Sequence, residues 1–289
     1  MEATHIEEKE QQWTEVIRPK TSLFDLRLRE VWQYRDLLWM FVTRDFIATY
    51  KQTILGPTWF FIQPVLTAVT YSIIFGGIAG IATDGLPRML FYISGITVWT
   101  YFADSLTKTS NVFITNAKIF GKVYFPRLIM PLSIITSGLI KLGIQMLLFL
   151  AVWGYYLANG EPIALQWQVV LLPLLIGISA LLALGLGMII SSLTTKYRDL
   201  AQLLTFSIQL WMYATPVIYP SSRIKGTSFA WVNEYNPVAP IVEAFRYMFT
   251  GVGTYSWQGL VYSASVALII LAIGTLIFNK VEKSFMDTV

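Results

Sequence analysis

Arg44-Asp-Phe-Ile-Ala-Thr-Tyr-Lys-Gln-Thr-Ile-Leu-Gly-Pro-Thr-Trp-Phe-Phe-Ile-Gln-Pro64 decides the fold, because within it a charged helix gives way to a membrane span. Upstream of the break, Trp39, Phe46, Ile47, Tyr50 and Ile54 recur at helical spacing on one arc of about 100°. Arg44, Asp45, Lys51 and Gln52 lie on the other side, so the helix is expected to lie along a membrane surface. Gly56-Pro57 ends it: proline disfavours helix in the preceding residue and suits the first turn of a new one. Residues 1–35 form a polar extension, 36–56 the interfacial helix and 57–289 the membrane domain.

Composition names the solvent. The 289 residues are 55% hydrophobic and only 13% charged, about half the charged share of an ordinary soluble domain. Six apolar segments follow: Trp59 to Ile81, Met89 to Leu106, Leu128 to Leu157, Val169 to Leu193, Leu200 to Tyr219 and Gly259 to Phe278. Each is near the roughly 20 residues that a helix needs to cross about 30 Å of hydrocarbon. The stretch before Arg35 has no apolar core of its own, so no cleavable signal peptide is expected. The predicted class is an all-α integral membrane protein with six transmembrane helices and an N-terminal amphipathic interface helix.

Charge then orients the spans. Eight Lys and Arg residues lie up to Lys51, four between Thr107 and Arg127, two just after Leu193 and two in the C-terminal tail, against only Arg88, Arg223, Lys225 and Arg246 on the other side. This asymmetry predicts both termini on the cytoplasmic side of the cytoplasmic (inner) membrane. The net charge of +4 is thus topological, and nucleic acid is not an expected partner.

The long external segment, Pro220 to Gln258, carries a short apolar run with Glu243 and Arg246, too short and charged to span. A pair of short interfacial or re-entrant helices is expected there, with Glu243 and Arg246 paired three residues apart on one face. Lys141 falls inside the third span with no acidic partner evident; a structural role, toward an interface or cavity, is favoured over a site. Gly76 and Gly80 give a GxxxG spacing, weak in a chain with 19 glycines. Enzyme chemistry fares poorly: there is no cysteine, the single histidine is His5 in the tail, and Asp104 and Glu243 are isolated acids. Gly121-Lys122 lacks the earlier glycine and the following Ser or Thr of a nucleotide-binding loop. The surrounding loop, Thr107 to Arg127, mixes basic side chains with Phe113, Ile114, Ile119, Phe120, Val123, Tyr124 and Phe125. That mixture suits either a docking surface for a cytoplasmic protein or a helix on lipid headgroups.

In order along the chain stand Arg44-Asp45, Tyr50-Lys51-Gln52 with Leu55-Gly56 and Trp59, Gln63-Pro64, Asn116-Ala-Lys118, Lys122-Val-Tyr124-Phe125-Pro126-Arg127, Tyr197-Arg198-Asp199, Pro216-Val-Ile-Tyr-Pro220, Asn236-Pro237 and Glu243-Ala-Phe-Arg246. From about Leu37 to Val289 the chain resembles the ABC-2 type permeases that export lipid-linked polysaccharides, the membrane subunits of O-antigen, capsule and teichoic-acid exporters. The resemblance implies a homodimer bound to two copies of a nucleotide-binding ATPase subunit, with ATP and Mg²⁺ held there and no cofactor in this chain. It implies that Asn116, Lys118, Lys122, Tyr124, Phe125, Pro126 and Arg127 belong to the ATPase-docking loop. Arg44, Lys51 and Arg198 would meet the diphosphate of an undecaprenyl-linked glycan, or serve only as positive-inside anchors. Gly56, Pro57, Gln63, Pro64, Asp199, Pro216, Asn236, Pro237, Glu243 and Arg246 are the structural motif positions. A drug or small-lipid exporter of the same class is the alternative. A secondary transporter would show an internal repeat with interrupted spans, and no repeat is evident.

Overall fold

The computed structural model describes residues 28–51, 53–120, 125–197 and 199–285, and among these every regular element is helical. The N-terminal extension before Leu28, Gln52, Lys122, Tyr124 and Arg198 lie outside the described residues. The elements are α1 (Leu28–Gln33), α2 (Arg35–Tyr50), α3 (Trp59–Tyr71), α4 (Arg88–Ser110), α5 (Val112–Phe120), α6 (Ile129–Ala158), α7 (Leu172–Thr194), α8 (Leu200–Tyr213), α9 (Ala230–Glu234), α10 (Ala239–Thr250) and α11 (Trp257–Phe285).

Helix α4 is the axis of the bundle. Every residue from Leu90 to Trp99 is buried, and α3, α6, α7, α8 and α10 all pack on it. Helices α7 and α11 make the most intimate pair because glycines let their backbones touch. A Cβ built on Gly274 would stand 2.5 Å from the Gly185 carbonyl oxygen, and one on Gly185 would stand 2.7 Å from the Leu271 nitrogen. Small residues at such crossings are the usual means of packing helices when the solvent is as apolar as the side chains. Large apolar side chains on the outside, Leu66 on α3, Leu147 on α6, Leu203 on α8 and Leu268 on α11, are exposed, as suits helices set in lipid.

Four of the described helical segments are long and apolar enough to cross a membrane: Gly56–Ile78, Ile129–Ala158, Trp167–Thr194 and Trp257–Val281. They coincide with the first, third, fourth and sixth segments expected from the sequence. Helix α4 spans 23 residues, about 35 Å, but carries Asp104, Lys108 and a row of Ser and Thr. The fifth segment is shorter than expected. Helix α8 ends at Tyr213 after 14 residues, about 21 Å, because Pro216 and Pro220 cannot continue it and Asn236 takes its last carbonyl, donating to Ala214 O at 3.0 Å.

Helix α2 is also shorter than expected, stopping at Tyr50, and the face it buries, toward α6, is Phe41 and Val42. Trp39 is 60% and Ile47 40% exposed, the outward position that a membrane-facing arc requires. Gly56, at φ +54°, makes the expected break before Pro57. Gly76 and Gly80 form no helix–helix crossing. Gly76 sits within the seven-residue π-helical end of the first span, its face filled by Arg88, and Gly80 has open space around it.

Candidate functional site

One end of the bundle carries α2, α5 and the residues that lead into α6. Arg44 forks onto Asp45, donating from Nε at 2.9 Å and Nη2 at 2.7 Å to Oδ1. Its Nη2 also reaches Asn116 Oδ1 at 3.5 Å, and its guanidinium lies 4.7 Å from the Phe41 ring centre. Arg44 and Asn116, assigned by sequence to different tasks, therefore meet. Lys51 is exposed just past the helix, and its backbone N–H donates to Ile47 O at 2.9 Å. Asp199 opens α8, its carbonyl accepting from the Gln202 and Leu203 N–H groups.

The residues that lead into α6 are anchored inward. Phe125 is 5% exposed; its ring lies 5.8 Å from Phe41 and 5.7 Å from Phe120. Phe120 continues to Phe113 at 5.7 Å, and Phe113 stacks on Phe278 of α11 at 4.7 Å. Asn116, Pro126 and Arg127 are buried as well, Arg127 against the Phe120 ring. Of the described loop positions assigned to docking, Lys118 alone is exposed, with Ile114 and Thr115 beside it on α5.

Between the ends, Lys141 Nζ donates to Asp104 Oδ2. This corrects the expectation that Lys141 has no acidic partner. The partners are 37 residues apart in sequence, and only the packing of α4 against α6 brings them to one depth. The signal in the sequence is an acid and a base in consecutive, hence antiparallel, segments. A polar cleft, with room for about one water molecule, adjoins the pair and is lined by Tyr101, Ser105, Ser137 and Gln145.

The opposite end is built around Arg246, 1% exposed. Its Nη1 donates to Glu243 Oε1 at 3.0 Å, Nη2 to Pro216 O at 2.9 Å and Nε to Ser94 Oγ at 3.3 Å. The guanidinium sits 3.8 Å from the Phe91 ring centre. Burial lowers its pKa, while the adjacent Glu243 and then Asp84 act to raise it. Glu243 Oε2 accepts from the Thr254 N–H at 3.0 Å and hydroxyl at 2.9 Å. The Glu243–Arg246 pair expected on one helical face is present, and Pro216 joins it. Asn236 has all its capacity used: it donates to Ala214 O and Thr215 Oγ1, and accepts from Trp211 Nε1 and the Val238 N–H. Close approach at this node explains Gly95, where an added Cβ would stand 3.1 Å from both Arg246 Nη2 and Val217 Cα. Gln63 is exposed and Pro64 buried on α3, remote in sequence from this node. Among the described residues no cluster of three or more His, Cys, Asp or Glu is placed to hold a metal.

Residues 36–250 match the family described as ABC-2 type transporter. The chain is 31% identical over 254 residues to an O-antigen export system permease protein, RfbA, of Klebsiella pneumoniae, an alignment covering 87% of this chain and 94% of that one. It is 26% identical over 265 residues to the protein of the same description in Myxococcus xanthus, covering 91% and 98%.

Proposed function

From the premise that the chain belongs to the ABC-2 type transporter family, we propose that it is the membrane subunit of an exporter of undecaprenyl-diphosphate-linked, O-antigen-like polysaccharide. The observation that carries this reading is the near end-to-end alignment with O-antigen permeases, 94% of whose length is matched at 31% identity. Two copies form the path across the cytoplasmic membrane, with α4 and α8 completing six spans and both termini in the cytoplasm. Two ATPase subunits supply the energy and hold the nucleotide. The docking surface is the outer face of α5, Ile114, Thr115 and Lys118, while Phe125 and Arg127 brace it from beneath. Arg44, Lys51 and Arg198 are the basic residues assigned to meet the lipid diphosphate, a ligand for which charge-assisted hydrogen bonds are well suited, with Arg44 offering it the guanidinium already paired to Asp45. Export is thus a membrane-subunit activity with no chemical step in this chain.

Two measurements test the reading. Deleting the gene should remove polysaccharide from the cell surface and leave lipid-linked glycan in the inner leaflet, with both restored by the intact chain. Undiminished surface polysaccharide would overturn the assignment in favour of a drug or small-lipid exporter. For docking, Lys118→Glu combined with Ile114→Ala should lower co-purification of the ATPase subunit about tenfold, on the order of 1.4 kcal/mol, with the permease itself still folded. Unchanged recovery would remove α5 as the docking element.

A further inference from the structure

At the Arg246 end of the bundle, the chain between α8 and α9 includes a stretch with little to hold it. From Ser222 to Phe229 every residue but Ile224 is exposed. Its backbone hydrogen bonds stay between Pro220 and Val232: the Arg223 N–H donates to Pro220 O, the Thr227 N–H to Ile224 O and the Val232 N–H to Phe229 O. A cavity of about 670 Å³ lies between this stretch and Tyr213, the last residue of α8, with Tyr219 beside it. Phe229 and Tyr213, 66% and 54% exposed, line the same space without closing it. Few buried contacts and a backbone bonded only to itself mark a segment that opens at low cost.

Among the described residues, one side chain of this stretch bonds outside it. The Ser222 hydroxyl reaches Asp84, 138 residues away in sequence, and lies 2.8 Å from Oδ1 and 2.9 Å from Oδ2. A hydroxyl has a single proton to give, so the two oxygens share it. The acceptor side is rigid. Asp84 and Gly85, at φ +50° and +84°, are the central residues of a tight turn closed by the Leu86 N–H on Thr83 O at 3.0 Å, and Asp and Gly are the residues that tolerate such left-handed positions. Leu86 is buried, and its carbonyl also accepts from Thr83 Oγ1, so the turn is a fixed post. The root of the stretch is fixed as well: Ser221 is buried, its N–H donates to Glu243 Oε1 at 3.4 Å and its Oγ accepts from Asn233 Nδ2 at 3.1 Å. Beyond the root, Gly226 at φ +83° has open space around it and serves as a free joint.

We infer that residues 222–229 form a strap over the end of α8, rooted at Ser221, and that the Asp84–Ser222 contact is a clasp that releases it during the transport cycle. The inference rests on the export reading above for its ATP-driven cycle, and goes beyond it by naming a part of this chain that moves. An exposed bond built on one shared proton is strong enough to set a resting position. It is also weak enough that a modest preference of the nucleotide-bound complex for the open arrangement shifts the balance.

The test exploits a chain that has no cysteine. Spin labels on Ala82→Cys and Lys225→Cys, both exposed positions, report the distance between post and strap while leaving Asp84 and Ser222 intact. Pulsed electron paramagnetic resonance on the full chain bound to its ATPase subunit in lipid nanodiscs should give one short distance without nucleotide and a second, longer one with ATP, Mg²⁺ and vanadate. Ser222→Ala in the same background should populate the longer distance without nucleotide, with thermal unfolding unchanged. A single distance that nucleotide does not alter, or a Ser222→Ala distribution identical to that of its parent, would overturn the clasp. The two readings fail separately because no cargo is needed to read the distance. Retained surface polysaccharide on gene deletion removes the export reading and leaves a moving strap standing, whereas lost polysaccharide with an unmoved strap removes only the clasp.

Discussion

Arg246→Ala should leave little folded protein, at a cost on the order of 3–5 kcal/mol, the penalty for stranding one partner of a buried pair. The arginine side chain is held by Glu243, Ser94 Oγ and Pro216 O and packs on Phe91, so α4, α10 and the segment after α8 lose a common partner at once. Glu243 is 3% exposed and would keep only neutral donors around its charge. A cycle of Arg246→Met, Glu243→Gln and the double variant, followed by thermal unfolding in detergent, should show the double far less damaged than the sum of the singles. Simple additivity, or an Arg246→Ala protein as stable as wild type, would show that the node is peripheral to stability.

The second large effect is expected at Gly274. Leucine there would drive a side chain into the Gly185 backbone, which lies 2.5 Å from the position of a Cβ. Backbone cannot turn aside as a flexible side chain can, so α7 and α11 must separate, and the cost should reach the upper end of the roughly 1–3 kcal/mol of overpacking. Gly143 and Gly177 are the internal controls, since each lies in an α-helix with nothing within 4 Å of an added Cβ. Alanine at either should be neutral or stabilising by up to about 1 kcal/mol, as expected from helix propensity alone. Yield and size-exclusion profiles of the three variants make the comparison, and a monodisperse, normally expressed Gly274→Leu protein would contradict the proposed contact.

Much of this architecture is legible in the amino-acid sequence. Length and hydropathy locate α6 almost to the residue, because a 30-residue apolar helix needs no tertiary context to declare itself. The i,i+3 spacing of Glu243 and Arg246 is enough to pair them. What the sequence hides depends on which face of a helix meets which neighbour. Phe41 and Val42 escape a periodicity argument because a helix with apolar residues on two sides presents two candidate arcs, and only α6 selects one. Asp104 and Lys141 each stand out singly but do not declare themselves a pair, since sequence separation says nothing about shared depth. At the candidate docking loop, sequence groups Phe125 with Lys118 by proximity, whereas the fold turns one inward and the other out. Gly185 and Gly274 have no distinctive spacing because each glycine's partner lies on another helix.

The row of rings Phe41, Phe125, Phe120, Phe113 and Phe278 runs from α2 to the last helix without an aliphatic link. Phenylalanine has two side-chain torsions and a rigid plane, so such a row behaves as a column of stiff discs. Packed ring on ring, the discs tie α2, α5 and α11 into one rigid body, and shortening any buried one to alanine would cost on the order of 3–5 kcal/mol.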